Sequence, residues 1–345
     1  MLQKLKSQIK KGMEGYNKGI STGLSKLDSI TYGLIRENIT LIGADSGAGK
    51  SSYTTYSTIF KPFQEYLASG RKINIHWLIF SFEISPESLF TRLLSMYLYE
   101  TYHVVIPHKE ILSLDETLSD EHWKLIEDAT PWLEELESLC TIIDNPVTAK
   151  GLYAITKEWT KQFGTYKEIE RTEDYIKEDY ISNNPDQYLI AIVDHVKLFA
   201  TSVGHTSKQE IDDACNFMIH FRDKCKISWY MVQQLNRGFK DMSRRTEAGG
   251  AYMDIQLNDF SDTSGTVQAA NTILAIFYPF REKLPKYKGY DIRQLGDRAR
   301  SISVLKNRDG NADKCVGITF YGEIHTWIEL PLPQEINDYE KYTNP

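Results

Sequence analysis

Residues 43–51 combine glycine, lysine and serine in a pattern that binds phosphate. The run reads GADSGAGKS and follows the apolar segment Asn38–Gly43. It matches the P-loop pattern, except that Ala44 takes the place of the first glycine. We expect the two later glycines to let the backbone fold around an anion, Lys50 to supply a positive charge, and the Ser51 hydroxyl to ligate Mg²⁺. The sequence therefore predicts a site for ATP and Mg²⁺ built from Ser46, Gly47, Ala48, Gly49, Lys50, Ser51 and Ser52.

Polar residues also stand directly after three other apolar runs. These residues are Glu83, Asp194 and Gln234. A carboxylate in such a place is sometimes only a helix N-cap. The carboxyl ends of parallel strands, however, meet at one edge of a sheet, where α/β proteins bind ligands. We therefore expect Asp194 to direct Mg²⁺ together with Ser51, Glu83 to deprotonate an attacking water, and Gln234 to sense the γ-phosphate.

A parallel sheet is needed to bring these residues together. Apolar runs alternate along the chain with helical patterns, which is typical of a largely parallel sheet covered on both faces. The predicted strands are Asn38–Gly43, Asn74–Phe82, Leu139–Asp144, Tyr188–Asp194, Ser228–Gln233, Ile273–Tyr278, Arg300–Lys306 and Val316–Tyr321. The polar stretch 164–187 interrupts this rhythm and is predicted to be a partly helical insertion. The predicted fold class is α/β, in one domain.

The composition indicates a globular protein with a core of its own. Of 345 residues, 41% are hydrophobic and 25% are charged. No stretch approaches the ~20 apolar residues that cross a bilayer. The four cysteines are scattered and have neither the pairing of a zinc site nor that of a disulfide framework. We expect no leader peptide, no membrane partner and a cytoplasmic location.

The charge of the chain is unevenly distributed. A net charge of −7 argues, as a whole-chain value, against binding to nucleic acid. Residues 109–144 hold eleven acids and two bases, whereas residues 281–308 hold nine bases and three acids. Because screening limits the reach of exposed charge to about 10 Å, a basic patch on an acidic chain still binds phosphate backbones.

Seven segments in order along the chain carry a resemblance to a known family. Besides the phosphate loop they are 19–28 (GISTGLSKLD), 79–84 (IFSFEI), 118–123 (LSDEHW), 194–198 (DHVKL), 234–237 (QLNR) and 306–310 (KNRDG). Together they resemble the DnaB-type hexameric replicative DNA helicases, which are RecA-like ATPases and often have alanine where Ala44 stands. The resemblance runs from about Gly19 to Leu330. It implies a RecA-like P-loop domain with a mostly parallel central sheet flanked by helices, plus a short N-terminal linker helix.

The resemblance also implies roles for particular residues. Glu83 becomes the catalytic base, Gln234 couples the nucleotide to the DNA, and Lys306 and Arg308 reach the γ-phosphate of a neighbouring subunit, with Arg308 as the arginine finger. In this family the ATP site lies between subunits of a ring. The resemblance thus implies a homo-oligomer of six subunits that moves 5′ to 3′ on single-stranded DNA. Loops 200–208 and 237–259 then face the central channel, and the DNA-binding residues are Lys208, Arg237, Lys240, Arg244 and Arg245.

The chain departs from the family pattern in two places. In the fourth motif, Ser261, Ser264 and Asn271 stand where arginine, glycine and aspartate are usual, which leaves the DNA contacts and strand separation open. The family's separate N-terminal domain has no counterpart, as in phage-like members. We expect a linker arm over 1–18 that docks on an adjacent subunit, an ATPase domain over 19–332, a tail over 333–345, and a separate primase or loader as partner.

Two other functions share the phosphate loop and the sheet. A recombinase of the RecA or RadA type also binds single strands, but as a filament; the Lys-x-Arg segment and the run 234–237 favour the helicase. A regulatory ATPase that does not unwind DNA is the other alternative. The altered fourth motif and the missing N-terminal domain keep this alternative open.

Overall fold

The computed structural model describes residues 2–114, 117–171, 176–236 and 254–345. Strands fall mainly where the apolar runs predict them. The strands are β1 (Ile39–Ala44), β2 (Ile75–Ser81), β3 (Cys140–Ile143), β4 (Gly164–Arg171), β5 (Ile176–Ser182), β6 (Tyr188–Asp194), β7 (Ser228–Gln234), β8 (Thr272–Phe277), β9 (Lys286–Tyr287), β10 (Tyr290–Asp291), β11 (Ala299–Asn307), β12 (Lys314–Tyr321) and β13 (Thr326–Glu329).

Nine of these strands form one central sheet. Its order is β13-β12-β11-β8-β1-β7-β6-β2-β3. The six strands from β8 to β3 run parallel, whereas β11, β12 and β13 are joined antiparallel at one side. Every residue of β1 and β6 is buried, because helices cover both faces of the parallel part. The predicted mostly parallel α/β sheet is confirmed, and its antiparallel side adds the strand β13, which the sequence did not indicate.

The helices begin and end at residues suited to those positions. They are α1 (Leu2–Met13), α2 (Ser25–Thr31), α3 (Lys50–Thr55), α4 (Lys61–Ala68), α5 (Pro86–Tyr102), α6 (His108–Ile111), α7 (Asp120–Ser138), α8 (Ala149–Thr160), α9 (Ser207–Cys225), α10 (Ser264–Ala269) and α11 (Ile292–Leu295). A π-helical turn, Tyr56–Phe60, joins α3 to α4. Side-chain oxygens of Ser85, Ser119, Thr148 and Thr206 cap α5, α7, α8 and α9, which satisfies N–H groups that lack partners within the helix.

Two hydrophobic cores lie on the two faces of the sheet. On one face, Met218 and Phe221 of α9 pack against the strands around Trp229. On the other, Phe60 and the α7 residue Trp132 pack with Trp77 of β2. The sheet is therefore packed between two helical layers, which bring the ends of its strands to one side of the domain.

The described residues 164–171 and 176–182 are two paired strands, so the predicted partly helical insertion is wrong. Strands β4 and β5 pair antiparallel, with Tyr166 opposite Tyr180. The Tyr180 hydroxyl donates to the Thr160 carbonyl of α8 at 2.9 Å, and the Tyr166 hydroxyl lies 2.7 Å from the Thr160 hydroxyl. The glutamates and lysines of this stretch suit a helix, but the two tyrosines anchor it as two paired strands because each has a partner on α8.

The N-terminal arm contacts the domain around Arg36, Pro185 and Tyr188. Arg36 lies over the rings of Tyr16 and Tyr188, with its guanidinium carbon 4.6 and 3.6 Å from their centroids. Beyond this contact, α1 presents an apolar row to solvent; its members are Leu2, Leu5, Ile9 and Met13. None of the helices in the described part of the chain has the length and apolar content to cross a membrane.

Candidate nucleotide-binding site

The phosphate loop turns between β1 and α3, as its glycines predict. Gly47 and Gly49 have φ values of +74° and +100°, which favour glycine strongly. A Cβ on Gly49 would lie 2.7 Å from the ring of Trp327 in β13. The loop therefore has its back against β13 and its backbone N–H groups at the amino end of the helix.

Lys50 is held inside this loop. It is 7% exposed, and its Nζ lies 3.8 Å from Oε2 of Glu83, which follows β2 and is itself largely exposed. Strands β7 and β6 separate β1 from β2 in the sheet. The structure therefore brings together, as an ion pair, two residues that the sequence places after different strands.

Asp194 ends β6 next to both of them. It lies opposite Ser81 in β2, and its carbonyl accepts from the Phe82 N–H at 2.9 Å. Burial raises the pKa of Asp194 to about 6, although a hydrogen bond with Ser51 works in the opposite direction. No described residue donates to the buried Oδ1 of this carboxylate.

A buried carboxylate oxygen without a donor, beside a serine hydroxyl, is a donor set that suits a hard cation such as Mg²⁺. Ser51 and Asp194 thus fit the metal that their residue types predict. A bound ion would also lower the pKa of Asp194, since a cation stabilises the charged form of its ligand.

Two arginines that the sequence did not single out hold the loop from the side. Arg281 donates to the Ser46 carbonyl and lies 3.8 Å from Asp45. Arg300 in β11 donates to the Ala48 carbonyl at 3.0 Å and stacks on Tyr278, 3.4 Å from its centroid. Burial lowers the pKa of Arg300 to about 10. No local sequence signal marks Arg300, because its strand also contains Ser301, Ser303 and Lys306.

Ser52 points away from the loop opening. Its hydroxyl donates to the His325 carbonyl at 3.3 Å and accepts from Nε1 of Trp327 at 3.3 Å. The remaining members of the predicted phosphate site, Ser46, Ala48 and Ser51, lie along the loop beside the two glycines. The Ser52 side chain therefore anchors α3 to β13.

Gln234 is the last residue of β7 and pairs with Ala44, the last residue of β1. It is half-buried at the same sheet edge as Lys50, Glu83 and Asp194. Four predicted site residues thus meet at the carboxyl ends of four strands.

Lys306 and Arg308 lie at the other edge of the sheet. The Arg308 N–H donates to the carbonyl of Asn271, and the Asn271 N–H donates to Ile39, at the beginning of β1. The Lys306 ammonium donates to the Val267 carbonyl at 2.9 Å. Burial and the neighbouring Arg308 lower the pKa of Lys306. The length of β1, roughly 17 Å, separates this pair from the phosphate loop of the same chain.

Of the predicted DNA-binding residues, Lys208 is exposed in the first turn of α9. Arg237, Lys240, Arg244 and Arg245 lie outside the described residues. Asn271, where the fourth motif departs from its family pattern, accepts at Oδ1 from Arg222 at 3.0 Å and from the Ile39 N–H at 3.3 Å. A neutral amide oxygen therefore accepts both of these hydrogen bonds, and the aspartate that is usual in the family is not needed for them.

Comparisons with known proteins agree with this geometry. Residues 19–177 match the family model of the DnaB-like helicase C terminal domain. A solved ATPase domain superposes with a TM-score of 0.70 at 15% identity, covering 96% of this chain and 99% of that one. A DnaB-like replicative helicase, solved in a study of its interactions with primase, superposes with a TM-score of 0.68 at 16% identity, covering 96% of this chain and 66% of that one. No curated protein sequence matches the chain.

The matched segment includes the phosphate loop, Lys50 and Glu83, and the shared fold extends over the antiparallel strands that carry Arg308. A DnaB-like helicase domain implies ATP-hydrolysing DNA helicase activity. Residues 19–177 thus resemble the DnaB-like helicase C terminal domain, and the chain as a whole has a RecA-like ATPase fold.

Proposed function

We propose that the protein is a replicative DNA helicase that works as a ring, with ATP hydrolysed between neighbouring subunits. One observation carries the proposal. The phosphate-binding residues and the pair Lys306 and Arg308 lie at opposite edges of one sheet. Neither cation of the pair reaches the phosphate loop of its own chain. A neighbouring copy that presents its Arg308 edge to this loop completes the site, and repetition of that head-to-tail contact closes a ring.

Within such a site each residue has a chemical task. Lys50 and the backbone N–H groups of the loop bind the β- and γ-phosphates. Ser51 and Asp194 would hold Mg²⁺, which would supply positive charge to offset the charge that develops on the phosphates. Glu83 orients the attacking water and accepts its proton. Arg308 of the neighbouring subunit stabilises the transferring phosphoryl group, a contribution on the order of 10³–10⁵ in rate for related enzymes.

DNA binding is assigned to the channel side of the ring. Lys208, together with Arg237, Lys240, Arg244 and Arg245, would contact the phosphates of a single strand without reading its sequence. Replacing Lys208 by alanine should weaken binding and reduce the slope of log K against log salt by about one unit. Lys224→Ala, near the other end of α9, is the matched control, and an equal change in both variants would contradict the assignment.

The chain boundaries and partners follow from the same proposal. Residues 1–18 act as an arm that docks on the adjacent subunit, residues 19–332 are the ATPase domain, and residues 333–345 form a tail. Six subunits, movement 5′ to 3′ and a separate primase or loader as partner complete the proposal. The primase study of the similar replicative helicase supports this choice of partner.

Mixing two inactive variants tests the shared site. Lys50→Ala should lose nucleotide binding and turnover, whereas Arg308→Ala should bind nucleotide and lose turnover. In rings assembled from equal amounts of both, roughly a quarter of the interfaces join an intact loop to an intact finger by random mixing. We therefore expect turnover to return in the mixture. A mixture as inactive as either variant, or full turnover by an Arg308→Ala monomer, would overturn the proposal.

A forked DNA substrate separates the helicase from the other two functions. With ATP, strand separation is expected, and rings rather than filaments should appear in negative-stain images with an ATP analogue and DNA. Turnover without strand separation would instead favour the regulatory ATPase, and filaments would favour the recombinase.

A further inference from the structure

We propose that Phe260 and Leu235 are positioning residues that transmit the state of bound DNA to the phosphate loop through Gly43. The proposal rests on the proposed function, because it takes residues 237–253 to belong to a DNA-binding loop. It concerns the described residues on either side of them, 233–236 and 254–260, which we call the loop stem.

Both halves of the loop stem meet on one glycine of β1. A Cβ on Gly43 would lie 2.1 Å from Cε1 of Phe260 and 3.1 Å from Cδ2 of Leu235. Phe260 is 1% exposed and Leu235 is 3% exposed. Gly43 has no need of a positive φ, so close approach of these two side chains is the reason for glycine here. The contact is two residues before Asp45, where the phosphate loop begins.

Hydrogen bonds join the two halves of the stem to each other. The Asn236 N–H donates to the Asp259 carbonyl at 2.9 Å, and its side-chain amide donates to Asn258 at 3.3 Å. The Gln233 amide donates to the Phe260 carbonyl at 3.2 Å and accepts from the Thr266 hydroxyl at 2.7 Å. The stem therefore moves as one body.

The same body is bonded to the end of β1. The Leu235 N–H donates to the Ala44 carbonyl at 3.1 Å, and Gln234 pairs with Ala44 in the sheet. A shift of the stem therefore displaces both Gln234 and the strand end that carries the phosphate loop. Because packed interiors transmit displacement with little loss, DNA that repositions the stem changes the geometry around Lys50.

Measurements on the full chain with the variant Phe260→Leu test this coupling. The readout is the ratio of single-stranded DNA affinities measured with a non-hydrolysable ATP analogue and with ADP. A folding defect alone does not move this ratio. In the wild type it is expected in the range of about 5–150-fold that is typical of coupled sites. In Phe260→Leu the ratio should approach one.

Phe221→Leu is the matched control, because Phe221 is fully buried on α9 in the same core and its ring packs on Tyr153 and His220. The control should keep the wild-type ratio. A retained ratio in Phe260→Leu, or an equal loss in Phe221→Leu, overturns the inference. Should Phe260→Leu not fold, Asn236→Ala removes one stem bond at smaller cost, and a retained ratio there overturns it equally. A wild-type chain that binds no DNA contradicts both the inference and the proposed function, whereas a coupled wild type with an unaffected variant contradicts the inference alone.

Discussion

The Lys50 ammonium and the Glu83 carboxylate face each other at 3.8 Å although two strands separate β1 from β2. Lys50 is buried in the loop, and Glu83 is reached from solvent. The exposed member of the pair is therefore free to turn toward a water molecule once a phosphate group takes the lysine as its partner.

Glu83→Gln should bind ATP with nearly unchanged affinity and hydrolyse it about 10²–10⁴ times more slowly, since an amide accepts no proton from the attacking water. Steady-state turnover and equilibrium binding of a fluorescent ATP analogue measure the two effects. Glu87→Gln, one turn into α5 and exposed, should behave as the wild type. Full turnover by Glu83→Gln would remove Glu83 from the mechanism.

Gly49→Ala should abolish nucleotide binding and lower the free energy of unfolding by about 1–3 kcal/mol. The new methyl group would stand at φ +100° and 2.7 Å from Trp327. Gly70→Ala is the control, because its φ is also positive at +67° but nothing lies within 4 Å of its Cβ. It should show only the backbone strain of ~1–2 kcal/mol and bind nucleotide normally. Binding by Gly49→Ala at wild-type affinity would contradict the fit between the loop and β13.

His325 should make the protein less stable as the pH falls. Burial lowers its pKa from 6.5 to about 3, and nearby Arg92 and His108 act in the same direction. Between these values the unfolded chain binds the proton and the folded chain does not, so stability decreases as pH drops from about 6.5 toward 3, by ~1.4 kcal/mol per pH unit for this one group.

The comparison of His325→Asn with the wild type isolates the contribution of His325 to the pH dependence of stability, because the two proteins share all other titratable groups. The free energy of unfolding, measured with urea between pH 5 and 7, should change less steeply with pH in the variant than in the wild type. His103→Asn, at an exposed position, should keep the wild-type slope. Identical slopes for the wild type and His325→Asn would contradict the buried neutral imidazole.

The double substitution Leu5→Lys and Ile9→Lys should break the ring into smaller species. These side chains are 50% and 55% exposed on α1, and placing charge on an interface that is apolar prevents its burial. Light scattering measures the assembly, and turnover should fall with it while nucleotide binding remains. Lys6→Gln with Lys10→Gln, on the same helix, is the control. Intact rings of the lysine variant would show that the arm does not hold subunits together.

The strand ends of the site were predictable because each depends on a local pattern. The apolar run before Asp194 fixes both the strand and the residue at its carboxyl end, and β6 has the predicted bounds, Tyr188–Asp194. The glycine pattern before Lys50 fixes the turn. These signals lie within about ten residues of the side chain that they position, so sequence alone carries them.

The contacts of Arg281 and Arg300 with the phosphate loop could not be predicted, because each joins residues that are far apart in the sequence. Arg300 reaches the Ala48 carbonyl across 252 residues of chain, and Arg281 reaches Ser46 across 235. The prediction of a partly helical insertion over 164–187 was wrong for a related reason. The charged residues of this stretch suit a helix, whereas Tyr166 and Tyr180, which bond to Thr160, select the pairing of β4 with β5. Tertiary contacts override local propensity in both cases.

Trp327 packs behind the phosphate loop, so its intrinsic fluorescence should report nucleotide binding. Its indole lies on Phe320, with centroids 4.4 Å apart, and its Nε1 donates to Ser52. Nucleotide that draws the loop forward changes the surroundings of this ring, so the intrinsic emission of the protein should shift on titration with ATP. The chain has five other tryptophans, and Trp327→Phe should abolish the shift while leaving their emission in place.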